Sequence, residues 1–128
     1  TGLLAWILEK RRSWSDCNGD VESVFSKDDL ITTTMIYWLT ETIGSSMRFY
    51  YEAAHQPWSP SHERLPVVEA PCGIAVFPKE VVLQPKAWIE QYYNVHQLSH
   101  LSHGGHFAAM EEPETLLKDI QSFFATLR

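Results

Sequence analysis

No stretch of this 128-residue sequence approaches the roughly 20 consecutive apolar residues that a membrane-spanning helix needs. A bilayer-crossing helix is thereby excluded within it, and no signal-peptide pattern is visible at its start. Basic residues are also scarce. Ten Lys and Arg stand against 16 Asp and Glu, the net charge is −6, and no basic cluster exceeds Lys10-Arg11-Arg12. That balance argues against a nucleic-acid partner, which needs a concentrated positive surface. The two cysteines, Cys17 and Cys72, lack metal-type spacing and make no disulfide framework, so a reducing compartment is expected. Repeats and low-complexity tracts are absent, which excludes a solenoid or a disordered tail. An initiating methionine is lacking too: the chain opens Thr1-Gly2-Leu3, directly in apolar helical sequence, and reads as a piece of a longer protein. Any site in it is then expected to be part of a larger one.

What is present is ordinary for a globular chain, with 45% hydrophobic and 20% charged residues in a length that suits one small domain. Residues 3–14 carry Leu3, Leu4, Ile7 and Leu8 on one face and predict a helix. A polar break follows from Ser15 to Asp20. Ser26 then stands as a cap, with Asp29 at the capping-box position, before a long helix from about Asp28 to Ala54, crossed by Gly44-Ser45-Ser46. Gln56 to Pro66 carries three prolines and reads as a surface linker. Cys72 to Phe77 is almost wholly apolar and ends at Pro78, the pattern of a parallel strand buried on both faces. A helix over Pro85 to Tyr92, a second strand over Val95 to Leu101 and a final helix complete a strand–helix–strand–helix order. That order points to an α/β sheet preceded by an all-helical unit.

The most informative feature lies in the last third. His106 follows Gly104-Gly105 and precedes Glu111-Glu112-Pro113-Glu114, where Pro113 suits the first turn of a helix and the acids its positive end. Leu116, Leu117, Ile120, Phe123, Phe124 and Leu127 recur behind it at helical spacing. A histidine held this way, on a tight loop braced by a helix, is displayed as a general base. In parallel sheets the loops beyond the strands' carboxyl ends form the site, and Glu80 in Pro78-Lys79-Glu80 occupies the other such loop. A carboxylate there can fix the imidazole's tautomer and stabilise its cation. The structural alternative is that Glu80 caps the next helix and His106 packs its loop. His96, His100, His103 and His106 also raise a metal reading, but strand and loop would point them in different directions and no Cys or Asp completes the set.

Phe77-Pro78-Lys79-Glu80, Gly104-Gly105-His106-Phe107-Ala108-Ala109 with Glu111-Glu112-Pro113-Glu114, and Gly44-Ser45-Ser46-Met47-Arg48-Phe49-Tyr50 together resemble the epoxide hydrolases of the microsomal type. Gly2-Leu3-Leu4-Ala5-Trp6-Ile7-Leu8-Glu9-Lys10 matches as well, so the resemblance runs the length of the chain in the family's order. It implies the C-terminal part of an α/β-hydrolase fold, with the last two parallel strands and helices preceded by part of a helical cap. Residues 1–55 would be the end of the cap and residues 56–128 the end of the core. Carried over residue by residue, His106 is the general base, Glu80 its acidic partner and Tyr50 one of two cap tyrosines that protonate the epoxide oxygen.

The implied activity converts small apolar epoxides to vicinal diols through an alkyl-enzyme ester, with water as co-substrate and no metal or organic cofactor. The nucleophilic aspartate, the oxyanion hole and the second tyrosine have no counterpart in these residues and would belong to a missing N-terminal part, making this chain alone inactive. Cytoplasmic placement is expected, with membrane association through that missing part as the alternative; homo-oligomerisation is left open. Rival functions are a non-catalytic α/β-hydrolase remnant or interaction subunit, or part of an esterase or haloalkane dehalogenase. Tyr50 carries a structural alternative, because Tyr37, Trp38, Phe49 and Tyr51 make its helix broadly aromatic, and Tyr51 is its fallback. Arg48 is expected as an ion-pair partner. Most of Trp6, Trp14, Trp38, Trp58 and Trp88 are expected in cores rather than along a substrate pocket.

Overall fold

A computed structural model describes residues 1–127. Helix α1 (Gly2–Ser13) buries Ile7 and gathers Lys10, Arg11 and Arg12 in its last turn, where cations complement the helix dipole. Its exit is fastened by local bonds: the Ser15 hydroxyl donates to the Arg11 carbonyl at 2.6 Å, and Arg12 Nε donates to the Gly19 carbonyl at 2.7 Å. After a single helical turn at Val21–Ser23, helix α2 (Lys27–Leu39) starts on the Ser26 cap, whose Oγ accepts the Asp29 N–H at 3.1 Å. Asp29 answers with its carboxylate on the Ser26 hydroxyl, at 2.6 Å. Phe25 and Leu30 occupy the two positions of a hydrophobic staple across this start. Both are buried, Phe25 most deeply of all at 2% exposed. Full burial of a side chain this size contributes about 1.5–3 kcal/mol.

The expected single helix to Ala54 is instead two. Helix α2 ends at Leu39, and helix α3 (Ile43–His55) begins after Thr40-Glu41-Thr42. The break falls ahead of Gly44-Ser45-Ser46, which lie inside α3. At the break Thr40 Oγ1 donates to the Ile36 carbonyl at 2.6 Å, as Thr33 and Thr34 do to Asp29 and Leu30 within α2, and pairs with Thr42 Oγ1 at 2.8 Å. The helix stops where Glu41, just after the cap residue Thr40, takes a left-handed φ of 56°.

Strands β1 (Val68–Val76) and β2 (Tyr93–His100) pair in parallel, with Cys72 opposite Val95 and Val76 opposite His100. Helix α4 (Lys86–Tyr92) connects them. Beyond β2 come the four-residue helix α5 (Ala108–Glu111) and helix α6 (Pro113–Ala125), with Pro113 in its first turn. Helix α6 packs on the sheet through buried Phe123, and Gln97 Nε2 donates to its Asp119 carbonyl at 3.1 Å.

Strand β1 is not buried on both faces as its apolar run suggested. Val68 to Pro71 are exposed, and Ile74, Ala75 and Val76 are half-buried. Among the described residues β1 has one strand neighbour and one helix layer, so the second face and free edge stay open. Trp38, Trp58 and Trp88 also depart from core packing, at 66%, 70% and 62% exposed. Arg48 is exposed and makes no ion pair among the described residues. No helix among them is long and apolar enough to cross a membrane.

Candidate active site

The parallel register continues past both strands and builds the site. The Leu101 N–H donates to the Val76 carbonyl at 2.9 Å, and Lys79 bridges Gly105, its N–H donating to the Gly104 carbonyl at 3.1 Å. One residue further along each chain stand Glu80 and His106. Their side chains meet, with His106 Nδ1 2.6 Å from Glu80 Oε1. A carboxylate can only accept, so Nδ1 carries the hydrogen and Nε2 is the nitrogen left to take a proton. Glu80 Oε1 also accepts the Val81 N–H at 2.6 Å, which holds the carboxylate in place.

The glycines matter for different reasons. Gly104 has φ of 96°, in the left-handed region that side chains disfavour. Gly105 is buried because the backbone after α1 lies directly on it: an added Cβ would fall 2.6 Å from the Trp14 carbonyl oxygen. That same oxygen accepts the His106 N–H at 2.9 Å. The imidazole is then boxed by two edge-on rings, Trp14 and Phe107, each with its centroid 5.1 Å away.

Trp14 and Phe107 also wall a cavity of about 130 Å³, together with Trp6, Arg11, Tyr37 and Tyr50. The Tyr50 ring meets Trp6 edge-on at 6.3 Å. Tyr51 turns elsewhere and stacks on His55 at 4.0 Å. The structure thus joins Glu80 to His106 directly and puts Tyr50 on an aromatic cavity one ring removed from them. Arg11 lies over the Phe107 face at 3.9 Å; burial pushes its guanidinium below the ordinary arginine range, and Glu111 nearby opposes that shift. His96 and His100 are exposed on β2, and His103 Nδ1 pairs with Ser102 Oγ at 2.9 Å. Among the described residues, no group of three His, Cys, Asp or Glu side chains is arranged to hold a metal.

Sequence reasoning missed Trp14, Phe107 and Tyr37 as cavity walls, and Asp16 and Glu111 as partners of the His106 loop. Asp16 Oδ2 accepts the Gly104 N–H at 3.1 Å, while Glu111 accepts backbone N–H groups from Asp16 and Phe107, both at 2.8 Å. A polar break after a helix carries no periodic signal for contacts of such sequence separation. Glu111, read from the sequence with Glu112 and Glu114 as an acid near the positive end of the last helix, likewise suits the dipole without naming a partner.

Compared with known proteins, the chain is 41% identical to "Epoxide hydrolase 1" of Sus scrofa, across 98% of its own length and 29% of that protein's. This chain belongs to the epoxide hydrolases. A "Putative epoxide hydrolase" of Stigmatella aurantiaca is 40% identical over all of the chain and 28% of that relative. Among solved structures, juvenile hormone epoxide hydrolase from the silkworm Bombyx mori superposes with a TM-score of 0.77 at 33% identity, covering 99% of this chain and 35% of that one. No family model matches. The two parallel strands and their helices thus correspond to the C-terminal part of the α/β-hydrolase fold that these relatives share. The chain spans less than a third of the length of the curated relatives it matches.

Proposed function

We propose that the protein carrying this chain hydrolyses apolar epoxides to vicinal diols, and that Glu80, His106 and Tyr50 take part. Residues 1–55 supply the end of a helical cap and residues 56–128 the end of the hydrolase core. The observation that carries the reading is the 2.6 Å contact between His106 Nδ1 and Glu80 Oε1 at the ends of adjacent parallel strands, beside an aromatic cavity that Tyr50 lines.

The chemistry divides into two steps. In the first, a carboxylate outside this chain attacks an epoxide carbon, forming a C–O ester bond as the ring C–O bond breaks. The Tyr50 hydroxyl donates its proton to the departing oxygen, which a neutral phenol can do where a charge develops out of water. In the second, His106 Nε2 takes a proton from water while the water oxygen attacks the ester carbonyl. Glu80 stabilises the resulting imidazolium through Nδ1–H. Collapse expels the diol alkoxide, which recovers the proton from His106, and water's second hydrogen, left on the carboxylic acid, passes to the Tyr50 phenolate, which restores both the carboxylate and the phenol. No step calls for a metal or organic cofactor. An apolar wall of Trp6, Trp14 and Phe107 suits an apolar substrate.

Replacing His106 by Ala in the full-length protein tests this reading. The variant is expected to form the ester once per site and then stall, so that mass spectrometry finds the protein heavier by one substrate. Normal multiple turnover by His106→Ala would overturn the assignment.

A further inference from the structure

Glu111 stands just past the His106 loop at the end of α5, and its two carboxylate oxygens are spent on different parts of the chain. Oε1 accepts the N–H of Phe107, the residue that caps α5, at 2.8 Å. Oε2 accepts the N–H of Asp16, in the stretch after α1, at 2.8 Å. A local cap would use only the first bond. The second reaches across to a segment that grips the same loop elsewhere. Asp16 Oδ2 holds the Gly104 N–H at 3.1 Å, and the Trp14 carbonyl holds the His106 N–H at 2.9 Å. His106 is therefore tied through its own amide and through those of Gly104 and Phe107 on either side. All three ties run to Glu111 or to the segment that Glu111 secures. Glu111 is half-buried, so removing its carboxylate leaves two donors short of a partner where water reaches poorly.

We infer that Glu111 is a positioning residue for His106, acting by locking the Trp14–Asp16 segment onto the base-carrying loop so that the imidazole meets Glu80. It touches neither substrate nor the imidazole. The kinetic consequence rests on the epoxide hydrolase reading above; the geometric one does not.

The test uses the full-length protein and three variants. Glu111→Ala removes both acceptors, Glu111→Gln keeps one carbonyl oxygen, and Asp16→Asn leaves Glu111 untouched while keeping an acceptor for Gly104. The first readout is the downfield proton resonance of the His106 Nδ1–H, assigned by its loss in His106→Ala and requiring no substrate. It is expected to broaden or vanish in Glu111→Ala, to be partly retained in Glu111→Gln and to persist in Asp16→Asn. The second is single-turnover kinetics with an aryl-substituted epoxide. Ester formation should stay within about 2-fold of the parent, while ester hydrolysis slows by on the order of 10- to 100-fold, the scale of a misplaced catalytic group. A purely structural role would lower the melting temperature and leave both readouts of the folded protein unchanged, and that result overturns the inference. Should Glu111→Ala not fold, the Glu111→Gln variant decides by the same two readouts. If the parent hydrolyses no epoxide, the functional reading fails while the proton resonance still judges Glu111.

Discussion

Replacing Gly105 by Ala adds a single methyl group at the tightest contact in the site. The new Cβ would lie 2.6 Å from the Trp14 carbonyl oxygen, 3.0 Å from Ser15 Cα and 3.2 Å from the Asp16 nitrogen, all backbone atoms that cannot swing aside. Real Cβ contacts essentially never fall below 3.0 Å, so the two backbones must part by about 0.4 Å or more. The φ of Gly105 lies outside the left-handed region, so the penalty is steric and owes nothing to glycine's conformational range. Overpacking of this kind costs about 1–3 kcal/mol. Weakening the His106 N–H bond to Trp14 adds about 0.5–1.5 kcal/mol. The full-length Gly105→Ala protein is thus expected to lose about 2–4 kcal/mol in urea denaturation.

Activity should fall further than stability alone explains, because His106 is the next residue and moves with the loop. At a temperature where the variant stays folded, ester hydrolysis is expected to slow by roughly 10-fold or more. Gly44→Ala is the control: nothing lies within 4 Å of its added Cβ, in the first turn of α3. It should be neutral or stabilising by up to about 1 kcal/mol through reduced freedom of the unfolded chain. A Gly105→Ala protein with the parent's denaturation midpoint and the parent's hydrolysis rate would refute the claim that Trp14–Asp16 sets the loop.

Two further outcomes follow from the same geometry. Tyr50→Phe keeps the ring against Trp6 and should fold normally, yet slow ester formation by on the order of 10- to 100-fold in rapid-quench measurements, whereas Tyr51→Phe, whose ring rests on His55, should stay within about 2-fold; equal effects would show the hydroxyl role to be misplaced. The isolated 128-residue chain leaves Ile36, Leu39, Phe49 and Phe124 more than half exposed, so calorimetry should show no sharp cooperative transition and no epoxide should be consumed; a single sharp transition of a monomer would contradict this.

The elements that sequence periodicity revealed are those whose signal is local. Ser26 declared the start of α2 because a cap and its helix lie within one turn of each other. Pro113 marked α6, and Pro78 closed the apolar run of β1 for equally local reasons. Glu80 and His106 were legible as partners because parallel strands deliver their carboxyl ends to one edge, and the geometry places them 2.6 Å apart. The split between α2 and α3 was hidden, since the left-handed turn that ends α2 falls on Glu41 and not on the Gly or Asn that would announce it. Strand β1 read as doubly buried because apolar content reports the environment a strand is built for, and these residues supply only part of it. Asp16 and Glu111 were invisible for the opposite reason. Their hydrogen bonds depend on a long-range approach that no spacing rule encodes.

The grip of Trp14–Asp16 on the base loop bears on how such proteins can be recombined. Exchanging residues 1–55 between relatives, at the junction where helices give way to sheet, would set the His106 loop against a foreign Trp14, Ser15 and Asp16. The unit to inherit intact is discontinuous: residues 14–16 travel with 104–111, whatever the helices around them become. Chimaeras that respect this pairing should keep their second chemical step. Those cut cleanly between helical and sheet halves should bind substrate and then wait on a histidine that no longer stands in its place.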